Sequence, residues 1–410
     1  MICLGALAGC ATPLRRPAPP TVINEAAPPG FPPTVRLVTT DLRGFARWAP
    51  PFFAGIRRAA GGGPVDVLAL SGGGSEGAFG AGALVGMTEA HDRPRFELVT
   101  GVSAGALIAP FAFLGSRWDP ELEAAFTADH RRLLSHPAWW RVVSRLVFPL
   151  GQRHRDALFD MVDHYVTPAL ITAVAHASER GRRLIIATTD LDSEETVLWD
   201  MGAIAEQGGE AARALFRNVL VASASVPGVF PPVLIRVHEG RRAYEEMHVD
   251  GSVTTPVFAL PLVAGLRPQE LPALRGGEVY MIVNSQIARI PSTTPVSTLE
   301  MLTRSFSASM TYKTREAILG TINLTRSLGM RFRLTDIPAD FPVVNIVDFS
   351  PKFMRSLFDY GERCAASGRL WLTPEQSIKR NQVLTRRSSG GATSCPGARV
   401  GASPGPAAAR

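Results

Sequence analysis

The apolar residues of this chain fall into short, almost unbroken runs separated by longer stretches with helical spacing. VDVLAL (65–70) reads as a short strand buried on both faces, because polar residues do not alternate with apolar ones as they would on a half-exposed strand. RRLIIATTDLD (182–192) and EVYMIVNS (278–285) have the same character. FELVTGVSAGALIAPFAFLG (96–115) reads as strand, tight turn and helix. A glycine-rich turn and helix follow the first strand through about Ala90. Helical spacing covers 154–178 and 298–328, and a strand-like run in MHVDGSVTTPV ends at Asp250. Strands alternating with helices predict an α/β domain with a mostly parallel sheet. No internal repeat is visible.

The two ends break this pattern. Residues 1–60 read as leader and linker, with Pro13, Pro17, Pro19, Pro20, Pro28, Pro29, Pro32 and Pro33 forming a stiff, extended tether. Residues 61–372 form the folded unit. Residues 373–410 read as a disordered basic tail rich in Gly, Ser, Ala and Pro.

Composition changes this picture in three places. At 410 residues and 46% apolar, the chain has enough material for one large domain or two ordinary ones. The net charge of +7 suits a nucleic-acid partner only until it is located. Lys379, Arg380, Arg386, Arg387, Arg399 and Arg410 supply six of those charges within 376–410, where no acid occurs. The rest of the chain is near neutral, so no nucleic-acid partner is expected. No run of 18 apolar residues exists to span a membrane. The four cysteines, Cys3, Cys10, Cys364 and Cys395, lack a zinc-type spacing.

The candidate chemistry lies in two strand-turn-helix units. SGGGSEGAFGAGAL places six glycines between Gly72 and Gly82. Gly72, Gly74 and Gly77 after a strand also fit a dinucleotide loop, but that reading needs an acid closing the second strand. Glu97 has the spacing yet precedes its strand. No G-K-[ST] follows, which excludes a P-loop. The second unit carries GVSAG, Gly101 to Gly105, a G-x-S-x-G nucleophile-elbow pattern at a strand end. A reactive Ser103 needs a base. The histidines that follow are His130, His136, His154, His164, His176, His238 and His248, and none sits in a glycine-rich turn. His248 is the strongest triad candidate, because it lies two residues before Asp250. Asp250 is followed by Gly251 in an Asp-Gly-Ser turn at a strand end, which can aim its carboxylate inward.

A glycine-rich loop, a G-x-S-x-G about thirty residues on and a distant Asp-Gly resemble the patatin-like phospholipases. ASASVPGVFPPV (222–233) is similar to the segment that precedes the aspartate in that family. The resemblance covers roughly 65–262, with the strand near 280 closing the same domain. It implies a three-layer patatin-like hydrolase fold and a Ser103–Asp250 dyad without histidine. It also implies an oxyanion hole built by Gly72, Gly73, Gly74 and Ala104, with Gly77, Gly101, Gly105 and Gly251 as motif glycines. No metal or cofactor is implied. The expected activity is hydrolysis of lipid acyl esters through an acyl-enzyme, of the phospholipase A or lysophospholipase kind. Asp250 is then expected to be desolvated, with a raised pKa. Two positions depart from the family: Glu76 stands where Arg or Lys is usual, and Asp-Gly-Ser replaces Asp-Gly-Gly or Asp-Gly-Ala. The alternative is a lipoprotein that keeps the fold only to bind lipid or a partner.

LGALAGC resembles a bacterial lipobox, which makes Cys10 a lipidation candidate and predicts an anchored envelope protein facing the periplasm. No basic residue precedes Cys10 and the apolar run is minimal, so either the true start lies upstream of Met1 or the match is chance. AWWRVVSRLVF (138–148) sets Trp139, Trp140, Val143, Leu146 and Phe148 beside Arg141 and Arg145. It reads either as an interfacial flap or as a buried stripe.

Overall fold

The computed structural model describes residues 15–128, 157–260, 274–288, 293–339, 341–342, 348–373, 375–377 and 394–397. Its centre is one sheet of nine strands: β1 (Arg36–Val38), β2 (Asp66–Leu70), β3 (Leu98–Val102), β4 (Arg183–Asp190), β5 (Glu195–Asp200), β6 (Val233–Glu239), β7 (Arg242–Asp250), β8 (Glu278–Val283) and β9 (Arg331–Asp336). The order is β1-β5-β4-β3-β2-β8-β9. The run β4-β3-β2-β8-β9 is parallel, while β5 joins β4, and β1 joins β5, antiparallel. β7 also pairs antiparallel with β4 and carries the hairpin partner β6.

The unbroken apolar runs are explained by burial on both faces. In β2, Leu68 and Leu70 point into one core while Val67 and Ala69 point into the other. β4 divides Leu184 and Ile186 from Ile185 and Ala187 in the same way. The first core is covered by α2 (Gly77–Glu89), α3 (Ala104–Leu114), α6 (Pro168–Glu179), α8 (Gly209–Ser223) and α10 (Pro351–Ala366). The second is covered by α1 (Leu42–Ala59) and α9 (Thr298–Leu328). The result is a three-layer α/β fold. α4 (Asp119–Thr127), α5 (Ala157–Tyr165) and the short α7 (Met201–Glu206) complete the helices of the described residues.

Part of the glycine-rich segment serves helix packing. A Cβ on Gly82 would lie 2.0 Å from Phe358 O, and one on Gly86 would lie 2.1 Å from Glu362 O, both on α10. Gly361 returns the contact, 2.3 Å from Phe79 O. α2 and α10 therefore touch backbone to backbone, which side chains would prevent.

Three expectations need correction. From residue 15 onward the N-terminal segment is integral to the fold rather than a tether. Glu245 N–H donates to Arg16 O at 2.8 Å, and Ala27 exchanges backbone bonds with His238. Arg36 makes a buried bidentate pair with Glu246 of β7. α1 buries Phe45, Trp48, Phe52 and Ile56. These recur every three or four residues, a helical stripe masked in the sequence by Pro50 and Pro51, which face solvent. The tail is also held in part. Cys364 and Cys395 form a disulfide, Tyr360 Oη donates to Ser394 O, and Gly397 N–H donates to Arg369 O. Residues 394–397 are therefore docked against α10 and the residues that follow it, with Pro396 buried and Cys395 packed on the core. Finally, the helical stretch 154–178 is described from residue 157 as two helices. Thr167 caps α6 through Leu170 N–H and Pro168 opens it, a stop-and-start signal.

Candidate active site

Ser103 is the single residue between β3 and α3, with φ of 54° and ψ of −124°. A positive φ is costly for a residue with a Cβ, and it turns the side chain out of the strand at the helix N-terminus. The glycines of the motif are steric requirements of this bend. A Cβ on Gly101 would lie 2.6 Å from Gly105 O, and one on Gly105 would lie 2.4 Å from Leu70 O. Ser223 stabilises the turn: its Oγ accepts from Ser103 N–H at 3.0 Å and donates to Ala187 O at 2.7 Å.

Asp250 reaches Ser103 through the register of β4. Val102, the last residue of β3, pairs with Ala187, and Asp250, the last residue of β7, pairs with Thr188. β5 occupies the other edge of β4, so β3 and β7 meet end to end along one edge. That places Ser103 Oγ 2.6 Å from Asp250 Oδ2, to which it donates. Oδ1 accepts from Ser252 N–H at 2.8 Å. Gly251 is needed here, since a Cβ would lie 2.4 Å from Ala187 O. Burial pushes the Asp250 carboxyl from the ordinary 3.8 up to about 6, against hydrogen bonds from Ser103 and Ser252 that favour the ionised form. Among ordinary carboxyls this one is unusually fit to exchange a proton near neutral pH.

The glycine loop wraps the same point. Gly72 stands against the serine, where a Cβ would come within 3.0 Å of Ser103 Cβ. Its N–H is donated to Pro256 O, so Gly72 is not an oxyanion donor as expected; its role is to clear space. The N–H groups of Gly73 and Gly74 make no hydrogen bond among the described residues, and Ala104 N–H is the open first donor of α3. Gly77 admits Ala104 and Phe126, each 2.9 Å from where its Cβ would sit. All of this opens on a cavity of about 150 Å³. Ser103, Asp250 and Gly72–Gly74 line it beside Phe111, Val162, Leu220, Phe230, Phe306 and Met310. A nucleophile, a tunable carboxyl and open N–H groups beside an apolar cavity are suited to attacking a carbonyl joined to a hydrocarbon chain.

The family model for patatin-like phospholipases matches residues 68–263. Residues 68–263 are a patatin-like phospholipase domain. The chain is similar to a patatin-like phospholipase domain-containing protein of Meyerozyma guilliermondii, 25% identical over 155 residues, which are 36% of this chain and 19% of that one. It is also similar to one of Cryptococcus neoformans var. neoformans, 24% identical over 324 residues, 76% of this chain and 34% of that one. Both relatives are fungal, and this chain spans about a fifth to a third of their length. Among solved structures, VipD from Legionella pneumophila is similar at 12% identity and a TM-score of 0.33, over 74% of this chain and 67% of that one.

Within the patatin-like domain, His248 is fully buried two residues before Asp250, but its ring is engaged elsewhere. Nδ1 lies 3.0 Å from Thr188 Oγ1 and Nε2 lies 3.2 Å from Glu246 Oε2. His238 joins the N-terminal segment through its backbone, and His176 pairs with exposed Glu179. His164 stacks edge-on with Tyr165. No histidine among the described residues hydrogen-bonds Ser103 or Asp250. His130, His136, His154, Cys10 and the stretch 138–148 lie outside the described residues.

Sequence reasoning missed two residues that shape the patatin-like site. Ser223 was visible only as part of ASASVPGVFPPV. Asn284 read as the end of a strand. Its N–H donates to Ser71 Oγ at 2.8 Å, its Nδ2 donates to Ser71 O at 2.9 Å, and its Oδ1 accepts from Gly80 N–H at 3.0 Å. Fully buried, Asn284 thus clamps both ends of the glycine loop. The only sequence signal was a polar residue ending a buried strand. Of the two departures from the family, Glu76 is buried beside the loop, and Ser252 contributes side-chain as well as backbone hydrogen bonding to Asp250.

Proposed function

We propose that this protein is a serine hydrolase of lipid acyl esters that works through a Ser103–Asp250 dyad and an acyl-enzyme. The observation that carries this reading is the 2.6 Å contact of Ser103 Oγ with a buried carboxylate beside an apolar cavity. Asp250 Oδ2 takes the Oγ proton while Oγ attacks the ester carbonyl carbon. The resulting oxyanion lies against the N–H groups of Gly73, Gly74 and Ala104. Loss of one such donor costs about 2.7–4 kcal/mol in other acyl-transfer enzymes. The alkoxide leaves with the proton from Asp250. A water, deprotonated by Asp250, then attacks the acyl-enzyme and releases the acid and free Ser103. The cavity takes the acyl chain; about 150 Å³ holds a benzene-sized group, hence a short chain or the first part of a long one.

The deciding experiment is fluorophosphonate labelling, combined with hydrolysis of p-nitrophenyl esters and phospholipids. Wild type should label and turn over, and Ser103→Ala should do neither. A folded wild type that fails to label would instead support a protein that only binds lipid or a partner. We further propose an envelope location with Cys10 as the lipidated residue. LGALAGC supports it, and so does the Cys364–Cys395 disulfide, a bond that persists in oxidising compartments.

A further inference from the structure

At the far end of the sheet from Ser103, a second concavity of about 380 Å³ is lined by Arg93, Arg95, Arg182, His91, Thr88 and Ser116, among others. α2 and α3 both begin at the active site and end here, so the two sites are separated by roughly 16–20 Å, one helix length. Three guanidinium groups line it and no carboxylate does. Arg93 is accounted for. It pairs with Asp119 at 2.5 Å, bonds Thr88 Oγ1 and reaches the last carbonyls of α3.

Arg182 is not accounted for. It is only 6% exposed. Its Nε donates to Phe96 O at 2.8 Å, and its guanidinium lies over the Phe113 ring, 4.4 Å from the centroid. Its two Nη groups make no hydrogen bond among the described residues. Arg95 has no acidic partner there either. Glu97 attracts both at a distance, but its Oε2 accepts from Asp66 N–H and it bonds neither guanidinium. Burial, then Arg95 and Arg93, pull Arg182 down to about 10 against the attraction of Glu97. A buried cation without an anion is costly, and arginine is the side chain best shaped to grip a multi-oxygen anion.

We propose that this concavity is a binding site for a phosphate-type oxyanion, held by the free Nη groups of Arg182, by Arg95 and by His91. The phosphate is either a soluble phosphate or the head group of an anionic lipid. It does not enter the hydrolytic site, and the proposal does not depend on that site's activity.

The test uses the full chain. Thermal unfolding is followed against inorganic phosphate at constant ionic strength, with chloride as the control, for wild type, Arg95→Gln and Arg182→Gln. Wild type should show a saturable rise in Tm. Loss of one charge-assisted hydrogen-bond donor should weaken apparent affinity about tenfold or more in each variant. Arg95 is exposed, so Arg95→Gln keeps the test valid if Arg182→Gln does not fold. No saturable rise in wild type, or wild-type affinity in Arg95→Gln, overturns the proposal. Sedimentation with phosphatidylcholine vesicles, with and without phosphatidic acid, identifies the source. Phosphatidic-acid-dependent binding lost in Arg95→Gln assigns the site to a head group. Phosphate binding without vesicle binding assigns it to soluble phosphate.

Discussion

At the residue scale, Asp250 is poised between two demands. Its folded pKa of about 6 lies above the ordinary 3.8, so the native state holds the proton more tightly than the unfolded chain does. The stability this gives is fully present below pH 3.8 and is lost as pH rises through about 6. Asp250→Asn should therefore abolish turnover, by about 10³-fold or more, yet unfold at a higher temperature than wild type at pH 8. The gain should be on the order of 1–3 kcal/mol and should shrink toward pH 4, as thermal melts across pH would record. A variant that is dead and less stable at pH 8 would contradict a buried carboxylate of raised pKa. Ser252 offers a finer test, because its hydroxyl favours the ionised form of Asp250. Ser252→Ala should move the acid limb of the kcat/KM profile to higher pH while the alkaline side stays put. An unmoved limb would mean that the Asp-Gly-Ser departure has no bearing on the base.

At the element scale, the glycine loop is shaped from outside itself. Gly73 sits so close to the end of β8 that a Cβ would lie 1.9 Å from Asn284 O. Gly73→Ala would therefore displace backbone rather than simply obstruct a donor. Asn284 is the better probe. Asn284→Ala strips partners from Ser71 O and Gly80 N–H, each buried, and should destabilise the fold by about 1–3 kcal/mol. If the clamp holds the N–H groups of Gly73 and Gly74 in place, kcat should fall roughly 10–100-fold with KM nearly unchanged. A folded variant with unaltered kcat would reduce Asn284 to a packing residue. The sequence displayed the loop and its glycines plainly but not the clamp, since a single asparagine after an apolar run carries no periodic signal.

At the scale of the whole molecule, the segment from residue 15 and residues 394–397 are both tied back to the domain. The Cys364–Cys395 disulfide closes a separation of 31 residues, for which the loss of unfolded-state freedom gives about 2–4 kcal/mol. Cys364→Ala/Cys395→Ala, or reduction, should lower Tm accordingly, and an unchanged Tm would show that residues 394–397 contribute nothing to stability. The proposed Cys10 anchor is separable from this. Cys10→Ala should shift the protein from the membrane to the soluble fraction without changing Tm, and unchanged partition would remove the lipobox reading.

The sequence alone determined the parts whose cause is local. Continuous apolar runs mark strands covered on both faces, and Gly101, Ser103 and Gly105 mark a bend that only small neighbours permit. Thr-Pro at 167–168 held a helix break that spacing alone ran through. What joins distant segments was decided only in three dimensions. Ser103 and Asp250 are 147 positions apart and meet because β3 and β7 end head to head on consecutive residues of β4. Gly72 loses its N–H to Pro256, Asn284 clamps the loop, and Arg36 pairs with Glu246 across 210 positions. Such contacts depend on strand register and on which edge is free, and neither is written in the spacing of residues along one strand.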